Sequence, residues 1–363
     1  MLVRGTSFCC RAKAHRNAVP HNPNVSKADL FGSTLAELTE HLGGSGRARR
    51  VWSVVRSARD PFAPGELPER AHQQLQRICR PLPATITNRA VSRDGTCKLL
   101  LSLSQGHAIE TVVIPGRGRT TVCVSTQVGC ARECVFCVTA SMGAVRSLSP
   151  AEIVGQVVLA RREVHARDLP PLRNVVFMGM GEPLLNLPAV LAAIAVMTDP
   201  EALAISPRRI TVSTAGLAGE LEEFARKAPP VGLAVSLHAT TDEIRGRIMP
   251  INRKYDIEEL MGTLRRLPLP RRRKITFEYV LLGGENDSER DARRLGRLLR
   301  GVKAKVNVIC YNPWPGSPHR PSTPEATERF MEMLMGAGYT VSLRRSRGDD
   351  ILAACGQLAA SRL

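Results

Sequence analysis

The stretch "VGCARECVFCVT", residues 128–139, begins where a predicted strand, "TVCVSTQV", ends. It carries thiols at Cys130, Cys134 and Cys137, spaced C-x₃-C-x₂-C. A structural zinc site usually takes four ligands in two separated pairs, and the chain has no second C-x₂-C pair. A thioredoxin-type dithiol would use Cys134 and Cys137 and leave Cys130 without a role. Three thiolates that leave one iron of a cubane cluster open account for the whole triplet.

Outward from this stretch, strand-like apolar runs alternate with helical runs about every thirty residues. Six predicted strands read "TVCVSTQV", "NVVFMGM", "RRITVSTAG", "VGLAVSLHAT", "KITFEYVLL" and "AKVNVICYNP". Such alternation indicates a parallel sheet with helices outside it, so we predict an α/β fold, a partial (β/α)₆ barrel over residues 119–345. Loops that follow barrel strands form the active face, and the three cysteines lie in the first of these loops.

Four segments flank the predicted barrel. Residues 1–28 are basic, contain no acid and are predicted to form a flexible extension or a targeting tail. Residues 29–82 read as short helices in a small accessory domain, with Trp52 in its core. Residues 83–118 contain the strand-like runs "KLLLSLS" and "ETVVIP" and form a connector, while residues 346–363 form a C-terminal segment.

The composition indicates a polyanionic partner. There are 51 Lys and Arg against 33 Asp and Glu, a formal charge of +18, which attracts phosphate backbones. The aromatic content is only 4%, so contacts to nucleic acid should rely on Arg and Lys. No apolar run is long enough for a membrane span, and ten cysteines in such a chain suggest metal ligands or reactive thiols. We therefore expect a cytoplasmic protein without membrane contact.

Polar residues and glycines collect where the predicted strands end. Each alone is typical of a helix cap or a buried polar group, but at matching ends of consecutive strands they favour one ligand pocket. They are Gly181 and Glu182 in "GMGEP", Ser213, the run Ser236, Leu237 and His238, and Asn312.

Five motifs closely resemble the RlmN/Cfr family of RNA adenine methyltransferases, within the radical S-adenosylmethionine (SAM) superfamily. They read "VSTQVGCARECVFC", "VVFMGMGEPLLN", "AVSLHATTDEIRGRIMPIN", "YNPWPGS" and "RRSRGDDILAACGQL", and the resemblance runs from about Asp29 to Leu358. It implies a [4Fe-4S] cluster on Cys130, Cys134 and Cys137, with SAM bound at the open iron and by the strand-end residues. It also implies RNA binding by the helical accessory domain, an external electron donor such as a flavodoxin, and a monomer.

The resemblance further implies a chemistry for an adenine carbon that is too electron-poor to attack the methyl group of SAM. Cys355 would take a methyl group from one SAM, and a radical made from a second SAM would activate that methyl group for addition to the ring. Glu110 would accept the ring proton, although an exposed strand carboxylate is an equal interpretation. Cys123 would release the product through a transient disulfide with Cys355.

The match has departures. After the cluster motif the family commonly reads "CATGQQGFxRNL", whereas this chain reads "CVTASMGAVRSL", and "CGQLAASRL" stands where "CGQLAG" is usual. The motif "GEPLLN" favours methylation of carbon-2 of adenine in 23S ribosomal RNA, with transfer RNA as a second substrate. The alternatives are carbon-8 methylation as in the Cfr branch, a paralogue with another RNA target, a different radical SAM enzyme, and a zinc-stabilised RNA-binding protein without activity.

Overall fold

A mixed ten-stranded sheet forms the centre of the computed structural model, which describes residues 27–270 and 273–360. Strands in the described residues are β1 Ala28–Asp29, β2 Cys79–Arg80, β3 Ala84–Val91, β4 Cys97–Leu103, β5 Ala108–Gly116, β6 Arg119–Cys123, β7 Gln127–Gly129, β8 Ala144–Ser147, β9 Leu172–Phe177, β10 Ile210–Thr214, β11 Gly232–Ser236, β12 Ile275–Leu281, β13 Ala304–Cys310 and β14 Thr340–Arg344. The α-helices are α1 Leu35–Leu42, α2 Ser45–Arg56, α3 Glu69–Ile78, α4 Val138–Ser141, α5 Pro150–Ala166, α6 Leu187–Thr198, α7 Ala218–Lys227, α8 Asp242–Ile248, α9 Ile257–Arg266, α10 Glu289–Leu298 and α11 Pro324–Gly336.

The strand order in the large sheet is β14-β13-β12-β11-β10-β9-β6-β5-β4-β3. Strands from β14 to β6 run parallel, and β5, β4 and β3 continue the sheet in antiparallel pairing. The six predicted barrel strands are confirmed, and β14 adds a seventh parallel strand that the sequence analysis did not predict. Because β14 is a short, half-exposed edge strand, it lacks the apolar run that marks the others. The sheet stays open between β14 and β3, as a partial barrel requires.

The predicted connector strands are β4 and β5, which extend the barrel sheet itself. Val112 of β5 lies opposite Cys123 of β6 in this pairing, so the extension abuts the first barrel strand near a predicted catalytic thiol. Antiparallel pairing follows from the short turns that join these strands, since a parallel neighbour would need a long crossover.

The predicted helical module contains α1, α2 and α3. Trp52 is fully buried, as predicted, and its ring meets Phe31 edge-on with centroids 6.3 Å apart. Most of the predicted basic extension, residues 1–26, lies outside the described residues. Among the helices that the structure describes, none has the length and apolarity needed to cross a membrane.

A buried arginine holds two strand-end loops together. Arg245 of α8 is fully buried and donates to the carbonyl oxygens of Leu237 at 3.3 Å and Ala215 at 2.8 Å. It also donates to Oδ1 of Asn252 at 2.9 Å and to the carbonyl oxygen of Tyr255 at 3.1 Å. Burial lowers its pKa to about 10, and the side chain remains a cation at neutral pH.

We expect Arg245→Met to lower the free energy of unfolding by about 3 kcal/mol, because it leaves buried carbonyl groups without donors. Urea unfolding followed by circular dichroism measures this. Arg247→Met is the matched control on the same helix, since Arg247 is 57% exposed and its ion pair with Glu285 is 3.7 Å long. The control should change stability by less than about 0.5 kcal/mol, and equal effects of both variants would contradict the role of Arg245.

Candidate active site

A cleft opens at the carboxyl ends of the parallel strands. Cys130, Cys134 and Cys137 form part of its wall. The other predicted residues that line it are Gly181, Glu182, Ser213, Ser236, His238, Asn312 and Cys355. The structure therefore brings together residues from the ends of several strands and from the segments that follow them, because the ends of parallel strands meet at one edge of the sheet.

The backbone of the cysteine loop is held by a close approach at Gly129. Its φ is +77°, and a Cβ there would lie 1.8 Å from the carbonyl oxygen of Gly143. The same oxygen accepts from the backbone N–H of Cys130 at 2.8 Å, and Cys137 N–H donates to the Cys134 carbonyl at 3.1 Å. The loop that spaces the three thiols is thus determined by backbone contacts that only glycine permits.

The electrostatics of the three thiols suit a multi-iron cluster. Burial raises the pKa of Cys130 to about 11 and that of Cys134 well above the ordinary value, and neighbouring thiolates add to both rises. Bound cations would reverse this balance. In residues 27–270 and 273–360, no three His, Cys, Asp or Glu side chains converge as a single metal ion needs. Cysteine thiolates are the usual ligands of iron–sulfur clusters, so three thiols in one wall of the cleft fit such a cluster by their donor chemistry.

Glu182 is fixed beside these thiols. Gly181, at φ +97°, lies so close to Gln127 that a Cβ would meet its side chain at 2.6 Å, and Gln127 Oε1 accepts from Glu182 N–H at 2.9 Å. The carboxylate accepts from the backbone N–H groups of Leu184 at 3.0 Å and Ala215 at 2.7 Å. Burial raises its pKa. The Thr214 side chain also hydrogen-bonds to this carboxylate. The acceptor capacity that remains on its oxygens can accept from an ammonium group in the cleft.

His238 presents a neutral ring to the cleft. Its Nδ1 accepts from the backbone N–H of Val280 at 3.0 Å, which places the ring proton on Nε2. Burial lowers its pKa to about 3, helped by the nearby Arg245 cation. Phe136 of the cysteine loop packs edge-on against it, with ring centroids 4.7 Å apart. Leu237, predicted alongside His238, is fully buried and does not line the cleft.

Cys355 lies between two cavities. It is exposed in the main cleft, and its carbonyl oxygen accepts from Nδ2 of Asn312 at 3.0 Å. A second cavity is lined by Cys355, Cys123 and Arg344. The structure thus brings together two thiols that are far apart in the sequence.

Two charged residues at the site were missed by sequence reasoning. Arg344, at the end of β14, lines both cavities, and Glu278 of β12 lines the cleft. Burial raises the pKa of Glu278; its Oε1 accepts from Asn307 at 2.9 Å, while Oε2 has no hydrogen-bond partner in the described part of the chain. A carboxylate inside the apolar run "KITFEYVLL" is the signal that could have identified Glu278, since unpaired charge is rarely buried without a function.

Glu110 lines neither cavity. It is 2% exposed, its Oε1 lies 3.0 Å from Lys98 Nζ, and its Oε2 accepts from the backbone N–H of Ala359 at 2.8 Å. Glu110 is therefore not the exposed strand carboxylate that the sequence analysis gave as the alternative. Its role as proton acceptor stays a prediction.

The chain is similar to known proteins over most of its length. The profile described as the Radical SAM superfamily matches residues 124–295. A curated relative from Pelobacter propionicus, "Dual-specificity RNA methyltransferase RlmN", is 46% identical over 346 residues, which cover 92% of this chain and 96% of the relative. The chain belongs to the RlmN family. A second RlmN relative, from Methylorubrum populi, is 46% identical and covers 92% of this chain and 85% of its own length.

A solved structure supports the RlmN assignment. A radical SAM methyltransferase from Sphaerobacter thermophilus superposes with a TM-score of 0.87 at 41% identity, over 92% of this chain and all of that one. Membership of the RlmN family confirms the predicted radical SAM α/β fold and an enzyme, a SAM-dependent radical RNA methyltransferase. A [4Fe-4S] cluster and SAM are the cofactors of such a protein.

The burial of Cys123 predicts an unusual pH dependence of its alkylation. Desolvation raises its pKa from 9.0 to about 12, which lowers the thiolate fraction near neutral pH about a thousandfold. We expect the rate of reaction with iodoacetamide to rise about tenfold per pH unit from about pH 7 to about pH 10, because only the thiolate reacts. Mass spectrometry of the Cys123 peptide measures the rate, and the denatured protein is the control. A native rate that levels off below about pH 9 would contradict the shifted pKa.

Proposed function

We propose that the protein methylates carbon-2 of an adenine in 23S ribosomal RNA, with transfer RNA as a second substrate, through a methyl group carried on Cys355. The observation that supports this most is the position of Cys355. It faces the cleft lined by Cys130, Cys134 and Cys137, and it also lines the cavity that contains Cys123.

In this proposal Cys130, Cys134 and Cys137 would hold the [4Fe-4S] cluster, and the iron without a cysteine ligand would be open to SAM. When bound, the cluster would supply the electron that splits SAM into methionine and a 5′-deoxyadenosyl radical. Glu182 accepts from the ammonium group of SAM, and the neutral His238 offers its Nε2–H as a donor. The remaining contacts to SAM come from the backbone at Gly181 and the run 236–238, and from the polar side chains Ser213, Ser236 and Asn312.

Cys355 acts twice in the proposed cycle, which consumes two SAM molecules. Its thiolate would first attack the methyl carbon of one SAM, and S-adenosylhomocysteine would leave, since the thiolate is the nucleophilic form. Partial removal from water raises the pKa of Cys355, and the Arg344 cation opposes that rise. The methyl group then loses a hydrogen atom to the radical from the second SAM, and the sulfur-bound methylene radical adds to the adenine carbon.

Cys123 resolves the covalent intermediate. Its sulfur attacks the sulfur of Cys355, a Cys123–Cys355 disulfide forms, and the released carbon takes up a proton to become the methyl group. The ring proton must leave beforehand, and Glu110 is retained as its predicted acceptor. The unpaired electron that radical addition leaves on the ring would return to the cluster, and the external electron donor would afterwards reduce the disulfide. Arg344 lowers the pKa of Cys123 against the effect of burial, and so favours the attacking thiolate.

The charge distribution supports RNA binding. Arg47, Arg49 and Arg50 of the helical module are exposed, and Arg345 and Arg347 line the second cavity beside Cys355. Backbone contacts of this kind position an RNA, while the reacting base has to leave its stack to reach the cleft. We retain a flavodoxin-type electron donor, a monomer and a cytoplasmic location as parts of the proposal.

Carbon-2 is preferred over carbon-8 because of the motif that follows β9. Pro183, which the carbon-8 branch tends to lack, lines the cleft directly after Glu182. Chromatography of nucleosides from RNA treated with the enzyme distinguishes 2-methyladenosine from 8-methyladenosine.

The first test is the mass of the Cys355 peptide after anaerobic incubation with SAM and reductant. We expect one added methyl group in the wild-type protein and none on that peptide in Cys355→Ala. Cys310→Ala is a matched control, because Cys310 also lines the cleft and has no proposed role; it should be methylated like the wild type. An unmodified Cys355 in a preparation that cleaves SAM would refute the methyl carrier.

The second test concerns resolution. We expect Cys123→Ala to remain covalently attached to RNA, because the thiol that attacks Cys355 is missing. Denaturing electrophoresis with labelled RNA detects the adduct. Cys97→Ala, a second buried thiol on the antiparallel extension, should release its product normally. Full turnover by Cys123→Ala would contradict the resolving role.

A further inference from the structure

The segment that carries Cys355 is held at both ends by one ion pair. We call residues 352–359 the Cys355 segment. Lys98 Nζ on β4 donates to the carbonyl oxygen of Leu352 at 3.2 Å, three residues before Cys355. Glu110 Oε2 on β5 accepts from the backbone N–H of Ala359 at 2.8 Å, four residues after it.

The two side chains also bind each other. Lys98 Nζ lies 3.0 Å from Glu110 Oε1, and the side chains are 9% and 3% exposed. Leu100 lies opposite Glu110 across the β4–β5 pair, so Lys98 and Glu110 are diagonal cross-strand neighbours. The pair therefore stands on rigid sheet, while the Cys355 segment has no regular secondary structure.

Stability alone explains this pair poorly. Removing two charges from water costs several kcal/mol per ion, and apolar residues of similar volume commonly stabilise a core as well or better. The hydrogen bonds explain the pair better. Beyond the ion pair, Lys98 donates to the Leu352 carbonyl and Glu110 accepts from the Ala359 N–H, and both of these backbone groups belong to the Cys355 segment. Neither residue lines the main cleft or the second cavity.

We propose that Lys98 and Glu110 are positioning residues that clamp the Cys355 segment, and so set where Cys355 lies between the main cleft and the cavity of Cys123. This inference rests on the proposed function of Cys355 as methyl carrier. The clamp acts before RNA binds, because the carrier must already face SAM when it takes its methyl group. If the clamp holds, loss of Lys98 should impair methylation of Cys355 as much as loss of Glu110. Loss of a proton acceptor would instead impair only the steps after addition to the ring.

Hydrogen–deuterium exchange of the anaerobic holoenzyme tests the clamp directly. We expect Lys98→Met and Glu110→Gln each to raise amide exchange in the Cys355 segment at least about tenfold, because each loses the ion pair and loosens one end. Exchange in α5 (residues 150–166) is the internal control and should not change. Lys98→Arg keeps a charged donor and should restore slow exchange.

A charge exchange separates positioning from general stabilisation. Lys98→Glu/Glu110→Lys keeps an ion pair but presents a carboxylate to the Leu352 carbonyl and an ammonium to the Ala359 N–H. We expect this double variant to unfold at a urea concentration closer to that of the wild type than either single replacement, while the Cys355 segment still exchanges fast. If the double variant recovers both its stability and slow exchange in the Cys355 segment, the clamp is overturned. The two residues would then contribute only to stability, as an ion pair.

The third readout is the fraction of Cys355 methylated by SAM and reductant without RNA. The clamp predicts a loss of about tenfold or more in both Lys98→Met and Glu110→Gln, and recovery in Lys98→Arg. Glu110→Gln with full methylation and slow segment exchange, but with a stalled RNA adduct, would overturn the clamp in favour of a proton acceptor. Failure of the wild type to methylate Cys355 would count against the proposed function, while the exchange data would still decide whether the clamp exists.

Discussion

The site depends on one long-range contact, the docking of the C-terminal chain against the cysteine loop. Val138 N–H donates to the carbonyl of Gly356 at 2.7 Å, and Thr139 Oγ1 donates to that of Leu358 at 2.5 Å. These bonds join parts of the chain more than 200 residues apart. Because Cys355 lies beside them, Cys355 and the three thiols of the cysteine loop are placed by the same interface.

The charges around this interface are matched to its thiols. Burial raises the pKa of these thiols, and cations of the protein itself oppose that rise. Arg344 faces Cys123 and Cys355, and Arg245 lies near Cys134. Two buried carboxylates, Glu182 and Glu278, line the same cleft and carry the opposite charge when ionised. The surface charge that attracts RNA and the buried charge that tunes the thiols are thus separate features of one Arg-rich sequence.

Much of the fold was predictable because its signal is local. Six parallel strands, the strands β4 and β5, and the helices between them show their apolar runs directly in the sequence. The edge strand β14 escaped prediction because one exposed face removes the apolar run, and Arg344 at its end escaped with it. Glu278 was overlooked inside a strand that reads as core. Leu237 was predicted as part of the ligand pocket, and its side chain is fully buried.

The sequence by itself determined the cysteine loop, since three thiols at C-x₃-C-x₂-C spacing and the glycine before them act within one short segment. It also indicated the polar residues at the strand ends, because parallel strands place their carboxyl ends at one edge. Only the tertiary structure decided that Cys355 lies between two cavities and that Lys98 and Glu110 hold its segment. Those contacts run from side chains to backbone atoms far along the chain, and a backbone N–H or carbonyl carries no mark in the sequence of which partner it will meet.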